Sequence, residues 1–178
     1  MAHESEVDIL RMAFSTNALR AVGSSDVVEV TLSLDTSAYA SGDVLAATQE
    51  VTSFFRVAGG TAIIQGIQIL DEDDQKQDLD ILFMNAATDI GAENGAYAIT
   101  DAEARTIIGW VDVAAADFTD FGDWAMATLK ATDTGMKIPG LVEGSAASTS
   151  IWIGAICRSG TPTYTASGIK LKIGILRD

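Results

Sequence analysis

Histidine is the commonest general base in enzymes and cysteine the most nucleophilic side chain, and this sequence has one of each. His3 stands in MAHESEVDIL, with no partner in a recognisable pattern, so histidine triads, dyads and zinc sites lose their usual residue. Cys157 closes the apolar run Ile151-Trp152-Ile153-Gly154-Ala155-Ile156. A reactive thiol needs a polarised and accessible setting. Cys157 is therefore expected to be a small hydrophobe in a buried strand, and being alone it forms no intrachain disulfide. Neither GxxxxGK[ST] nor a GxGxxG following a strand occurs, so the phosphate cradles of nucleotide sites are missing and no cofactor is expected.

Carboxylates remain. Asp71-Glu72-Asp73-Asp74 offers oxygen ligands at spacings that suit calcium, but Lys76 stands where the EF-hand loop needs glycine and Leu82 where it needs glutamate. The run reads instead as a solvated loop tip whose charges contribute little to folding. No pair among the 25 acidic residues is singled out for glycoside hydrolysis. Aromatic residues are the last candidates. Trp110, Trp124 and Trp152 with Phe118 and Phe121 could line a sugar platform, yet Trp152 lies inside an apolar strand. Phe118, Phe121 and Trp124 sit in or beside the polar loop 114–123, where exposed aromatics more often anchor a protein interface. The chemistry that survives is binding.

The elements that would position these residues are strands. Thr61–Asn85 holds two apolar runs, Ile63–Leu70 and Leu79–Met84, around DEDDQKQD, and reads as a long antiparallel hairpin with an acidic tip. Val27–Leu34 alternates with period two, and Asp35-Thr36-Ser37 and Ser41-Gly42-Asp43 are turn chemistry. Further strands are expected at Val44–Ala46, Glu50–Val57, Ile107–Val113, Trp124–Thr132, Lys137–Val142, Ser150–Cys157 and Gly168–Leu176. Thr100-Asp101-Ala102-Glu103 matches a capping box and marks one short helix. About nine strands at ~10–15-residue spacing, with one helical turn, predict a mainly β fold: an antiparallel β-sandwich, jelly-roll-like. Residues 26–178 are expected to be that sandwich and residues 1–25 an N-terminal arm. In the arm Val7, Leu10 and Phe14 share a helical face, while Leu10, Met12 and Phe14 also alternate as an extended segment. Its apolar residues, with Arg11 and Arg20, are expected to dock on an adjacent subunit or a larger surface rather than stay in water.

Composition bounds the partners. The chain has 178 residues, 48% of them apolar, enough for a sizeable core. Its net charge of −14 repels phosphate backbones and anionic surfaces, so neither nucleic acid nor membrane is an expected partner. There is no basic region followed by an apolar run at the N-terminus and no stretch of about 18 apolar residues, so neither a signal peptide nor a spanning helix is expected.

One resemblance goes further. Arg158-Ser159-Gly160-Thr161-Pro162-Thr163-Tyr164-Thr165-Ala166-Ser167-Gly168 leads into Ile169–Asp178, and Leu34-Asp35-Thr36-Ser37-Ala38-Tyr39-Ala40-Ser41-Gly42-Asp43-Val44-Leu45 precedes the Leu70–Met84 segment. This wording, over residues 27–178, resembles small structural proteins of tailed bacteriophage virions, of the capsid decoration or cement kind. The resemblance implies a β-sandwich without an active site or cofactor, made in the host cytoplasm and placed on the capsid surface. It further implies the major capsid protein and a homotrimer of the chain itself as partners. A tail, neck or fibre component, or a carbohydrate-binding sandwich, are the competing readings. The interface residues expected are Leu10, Arg11, Met12, Phe14 and Arg20 in the arm, with Phe118, Phe121 and Trp124 in the loop.

Overall fold

The computed structural model describes residues 24–177. The expected arm therefore lies, apart from Ser24 and Ser25, outside the described residues, and Leu10, Arg11, Met12, Phe14 and Arg20 with it. Eleven strands are present among the described residues. The first six are β1 (Ser24–Thr31), β2 (Val44–Val51), β3 (Thr61–Asp71), β4 (Leu79–Met84), β5 (Ile107–Val113) and β6 (Phe118–Asp120). The rest are β7 (Ala125–Lys130), β8 (Met136–Lys137), β9 (Val142–Glu143), β10 (Ile151–Cys157) and β11 (Ile169–Arg177). One sheet runs β1-β11-β3-β7-β6, with β9 beside the start of β3, and the other runs β2-β10-β4-β5-β8. Every pairing is antiparallel. The long strands mostly alternate between sheets along the chain, so β1, β3, β7 and β11 face β2, β4, β5 and β10. That is the order of a jelly roll, and the expected fold class holds.

Period-two sequence explains the core. In β11, Ile169, Leu171, Ile173 and Ile175 are buried while Lys170 and Lys172 turn outward. β3 buries Ile64, Ile67 and Ile69, and the three-residue step from Ile64 to Ile67 would break the alternation. A bulge at Gln65, where the register passes from Gly66↔Gly174 to Ile64↔Ile175, restores it. β4 is buried throughout. Leu79, Ile81 and Phe83 enter the core between the sheets, and Leu82 and Met84 join Val44, Ile90 and Ile156 in a second cluster on the outer face.

That two-sided burial corrects the expected hairpin. β3 and β4 do not pair: β3 lies between β11 and β7, and β4 between β10 and β5. The segment joining them crosses from one sheet to the other. Its tip is not a loose acidic loop. Buried Asp71 accepts the N–H groups of Asp73 at 3.1 Å and Lys76 at 2.8 Å. Burial pushes its carboxyl above the ordinary value, and the N–H groups of Lys76, Asp73 and Gln75 pull the other way. Asp73 Oδ2 accepts the N–H and hydroxyl of Thr165 at 2.8 and 3.0 Å. Ser159 Oγ accepts the Asp78 N–H at 3.0 Å, and Asp78 Oδ1 accepts that of Ala115 at 2.6 Å. A Cβ on Gly168 would fall 1.8 Å from Asp73 Oδ2, so glycine is what lets the carboxylate in. The tip is clamped onto the loop 158–168.

A second pin sits in the β1–β2 connection. The Tyr39 hydroxyl accepts the Asp35 N–H at 2.6 Å and donates to the Leu45 carbonyl at 3.0 Å. Its ring meets Tyr164 edge-on, with centroids 6.2 Å apart. The two stretches that carry the family resemblance thus touch each other. Two further details differ from expectation. β2 is one strand ending at Val51, because Ser53 takes φ 58° and breaks it; Phe54 and Phe55 are buried edge-to-face in the following bend. The capping box does form, with Glu103 Oε2 accepting from Thr100 N–H at 2.9 Å and Oγ1 at 2.7 Å, but it starts a 3₁₀ turn over Glu103–Thr106.

Replacing Asp71 by Ala leaves two N–H groups without their acceptor, and a loss of about 2–3 kcal/mol in denaturant unfolding is expected. Gly168→Ala should cost about 1–3 kcal/mol by overpacking the clamp; a solvated tip would leave both variants at the wild-type value. Burial pushes the Tyr39 hydroxyl up to about 12. The native state holds that proton more tightly than the unfolded chain, so its contribution is full below the unfolded value of about 10 and is lost as pH rises through about 12. Tyr39→Phe should therefore show a shallower loss of stability across that window, beside a baseline cost of about 1–2 kcal/mol.

Candidate interaction surface

The outer face of the β1-β11-β3-β7-β6 sheet gathers the exposed apolar residues best placed to bind. At the end nearest the clamp, Phe121-Gly122-Asp123-Trp124 forms the tight turn between β6 and β7, closed by the Phe121 N–H on the Trp124 carbonyl at 2.9 Å. The Phe121 and Trp124 rings stack with centroids 4.3 Å apart and 14° between planes. Phe121 is 51% exposed and Trp124 37%. Lys76 reaches from the crossing segment to Asp120 at 2.6 Å and to Asp74 at 3.0 Å, which braces β6 under the turn. Beside Trp124 a shallow cleft of about 380 Å³ is lined by Leu70, Glu72 and Asp123. The stack is a pre-formed aromatic knob in acidic surroundings.

At the other end of the same face Ile63 and Leu176 are cross-strand neighbours, and Leu141 comes just before β9, whose Val142 pairs with Ala62. Ile63 and Leu141 are exposed, Leu141 at 57%, and Val57 in the adjoining bend is exposed as well. Ser24 and Arg177 pair at this end, so the patch lies where the described chain begins and finishes. Between the patches Glu29, Lys172, Gln68 and Thr128 form a polar band, with Lys172 3.3 Å from Glu29. Ile63 and Leu70 are seven residues apart on one strand, which separates the patches by roughly 23 Å.

The named loop residues thus part company. Phe121 and Trp124 come together at the surface, while Phe118 is half-buried and packs on the core. The aliphatic patch was missed from the sequence, because Ile63, Leu141 and Leu176 meet only through the pairing of β3 with β9 and β11. The other tryptophans lie elsewhere: Trp110 and Trp152 are on the outer face of the second sheet, Trp152 against the cluster of Leu82 and Met84. The aromatics therefore do not converge on one concave platform. Cys157 is buried, its thiol pushed up by burial and donating to the Ser159 carbonyl at 3.3 Å. Among the described residues no group of three or more histidine, cysteine, aspartate or glutamate side chains is placed to hold a metal ion, and no helix is long and apolar enough to cross a membrane.

Neither a family model nor a curated protein matches this sequence. Solved structures do. A chain from Desmodium yellow mottle tymovirus matches with 6% identity and a TM-score of 0.30, covering 88% of this chain and 82% of that one. Cocksfoot mottle virus gives 9% identity and 0.31, over 88% and 84%. Tomato aspermy virus gives 10% identity and 0.33, over 96% and 93%. Identity and superposition at this level leave the fold to be argued from the strand order itself.

Cys157→Ala should lower stability by only about 1 kcal/mol, the scale of a small core truncation. In the native protein a thiol reagent should leave Cys157 unmodified until denaturant is added.

Proposed function

We propose that this chain is a non-enzymatic structural protein of a virion, a decoration or cement protein that binds capsomer junctions on the shell exterior. The observation that carries the reading is one sheet face bearing two apolar patches at opposite ends. An apolar surface beside the ends of the described chain suits lasting attachment to another protein. Two patches on one face let a single copy hold two neighbours, so that parting the neighbours also breaks its contacts. Phe121 and Trp124 are already stacked, which spares the ordering cost that mobile aromatics would meet on binding. The wording around Tyr39 and Tyr164, which resembles such phage proteins, supports the same reading. The major capsid protein is then the partner, and a homotrimer on a local three-fold axis multiplies the contacts with one gene product. The net charge of −14 favours the solubility of copies not on a particle.

Quantitative mass spectrometry of purified virions should count hundreds of copies per particle. Phe121→Ala with Trp124→Ala, and separately Ile63→Ser with Leu141→Ser, should each weaken rebinding to stripped particles by about tenfold or more while leaving the fold intact. A dozen copies or fewer would place the protein in the tail or neck, and binding unchanged in both variants would remove the proposed face from the contact.

A further inference from the structure

A sheet ends in edge strands, and an uncovered edge is a template for another strand. Of the five edge strands among the described residues, four are blunted. β6 has three residues, and β8 and β9 have two each. β2 is covered by the segment after β4: Val44 donates to the Gly95 carbonyl at 2.7 Å and accepts from Asn94 at 2.9 Å, and Thr48 Oγ1 donates to the Thr88 carbonyl at 2.5 Å. β1 differs. It runs for eight residues, none of them buried, with Val27 59% exposed.

Its hydrogen-bonding groups divide cleanly. Leu32 N–H donates to Ile169, the residue opposite it, so by alternation Ser24, Asp26, Val28 and Val30 address β11. Ser25, Val27, Glu29 and Thr31 address the open side. There Asp26 Oδ1 accepts the Val27 N–H at 2.8 Å and Gln49 donates to the Thr31 carbonyl at 3.2 Å. Glu29 N–H and the carbonyls of Val27 and Glu29 have no partner among the described residues. Charges commonly guard such an edge, but here both are already engaged, Asp26 with Arg177 and Glu29 with Lys172.

The geometry points to β1 as a two-fold contact with a second copy of this chain, the two β1 strands pairing antiparallel and joining their sheets into one. With Val28 opposite Val28 of the second copy, Val27 faces Glu29 and Asp26 faces Val30. No two like charges then meet, and valine covers valine on the core side. Centring the pair on Glu29 would oppose two carboxylates. Centring it on Val27 would set Asp26 and Ser24 against Val28 and Val30 and leave no valine pair on the core side, where the Val28 register sets only Asp26 against Val30 and keeps one valine pair. The contact is self-complementary, as a two-fold interface requires. It does not depend on the virion reading; in the proposed trimer it joins copies of different trimers.

The full-length chain carrying Val28→Cys tests this register. Residues opposite each other at a non-hydrogen-bonded site lie about 4.5 Å apart at Cα, within disulfide range of about 4.4–6.8 Å. Mild oxidation should give a covalent dimer, whereas Thr119→Cys on the far edge should not. Glu29→Pro removes an N–H that β11 does not use, so the fold should persist while the dissociation constant measured by sedimentation rises about tenfold or more. Folded Val28→Cys protein that fails to cross-link, or association unchanged by Glu29→Pro, would overturn the contact. So would a monomer whose Glu29 amide is protected from exchange, since the edge would then be taken by the chain's own first residues.

Discussion

A chain that passes from one sheet to the other must do so without stranding buried polar groups, and in this sandwich the burden falls on Asp71. It is the last residue of β3, its carboxylate lies in the interior, and two main-chain N–H groups of the crossing segment end on it. From there the dependence spreads outward. Asp73 docks on Thr165, Asp78 on Ser159 and Ala115, and Lys76 on Asp120, so the position of the β6–β7 turn follows from the crossing. The aromatic knob is held still by a network that begins with one buried acid.

The face that carries the knob shows how a strongly acidic protein can balance charge across one sheet. Lys170 pairs with Glu72 at 2.5 Å, and Lys172 with Glu29, directly on that face. Exposed pairs of this kind contribute little to stability. Their effect is local: Lys170 and Lys172 balance Glu72 and Glu29 on that face. The face thus has apolar ends and a centre of paired charges, with Glu72, Asp120 and Asp123 beside the aromatic knob.

The fold class was legible because β11, β5 and β10 alternate or run apolar in ways that only strands satisfy. The capping box over Thr100 and Glu103 was legible too, being a local motif of four residues. The partner of each strand was not. Leu79–Met84 looked like the return arm of a hairpin because it follows Ile63–Leu70 closely, yet its second apolar set, Leu82 and Met84, already demanded cover on both faces. Acidic residues 71–74 read as solvated because charge ordinarily is; what the sequence does not display is the loop 158–168 arriving ninety-odd residues later to accept them. Of the exposed apolar residues, Phe121 and Trp124 could be expected at the surface from their polar neighbours. Ile63, Leu141 and Leu176 could not, since each looks like core until its register is known.

The pairing of β1 with β11 has a consequence for how the molecule is made. The first described strand has no other neighbour in its sheet, and its partner is the last, Ser24 opposite Arg177. Until β11 has emerged from the ribosome, β1 has no partner strand in its sheet, and the β3–β11 ladder at the centre of that sheet is equally incomplete. That sheet therefore closes only once β11 has been made, in a late search over long loops, with its strand edges open meanwhile. A nascent chain of this design is most exposed to wrong partners in the interval before β11 docks between β1 and β3.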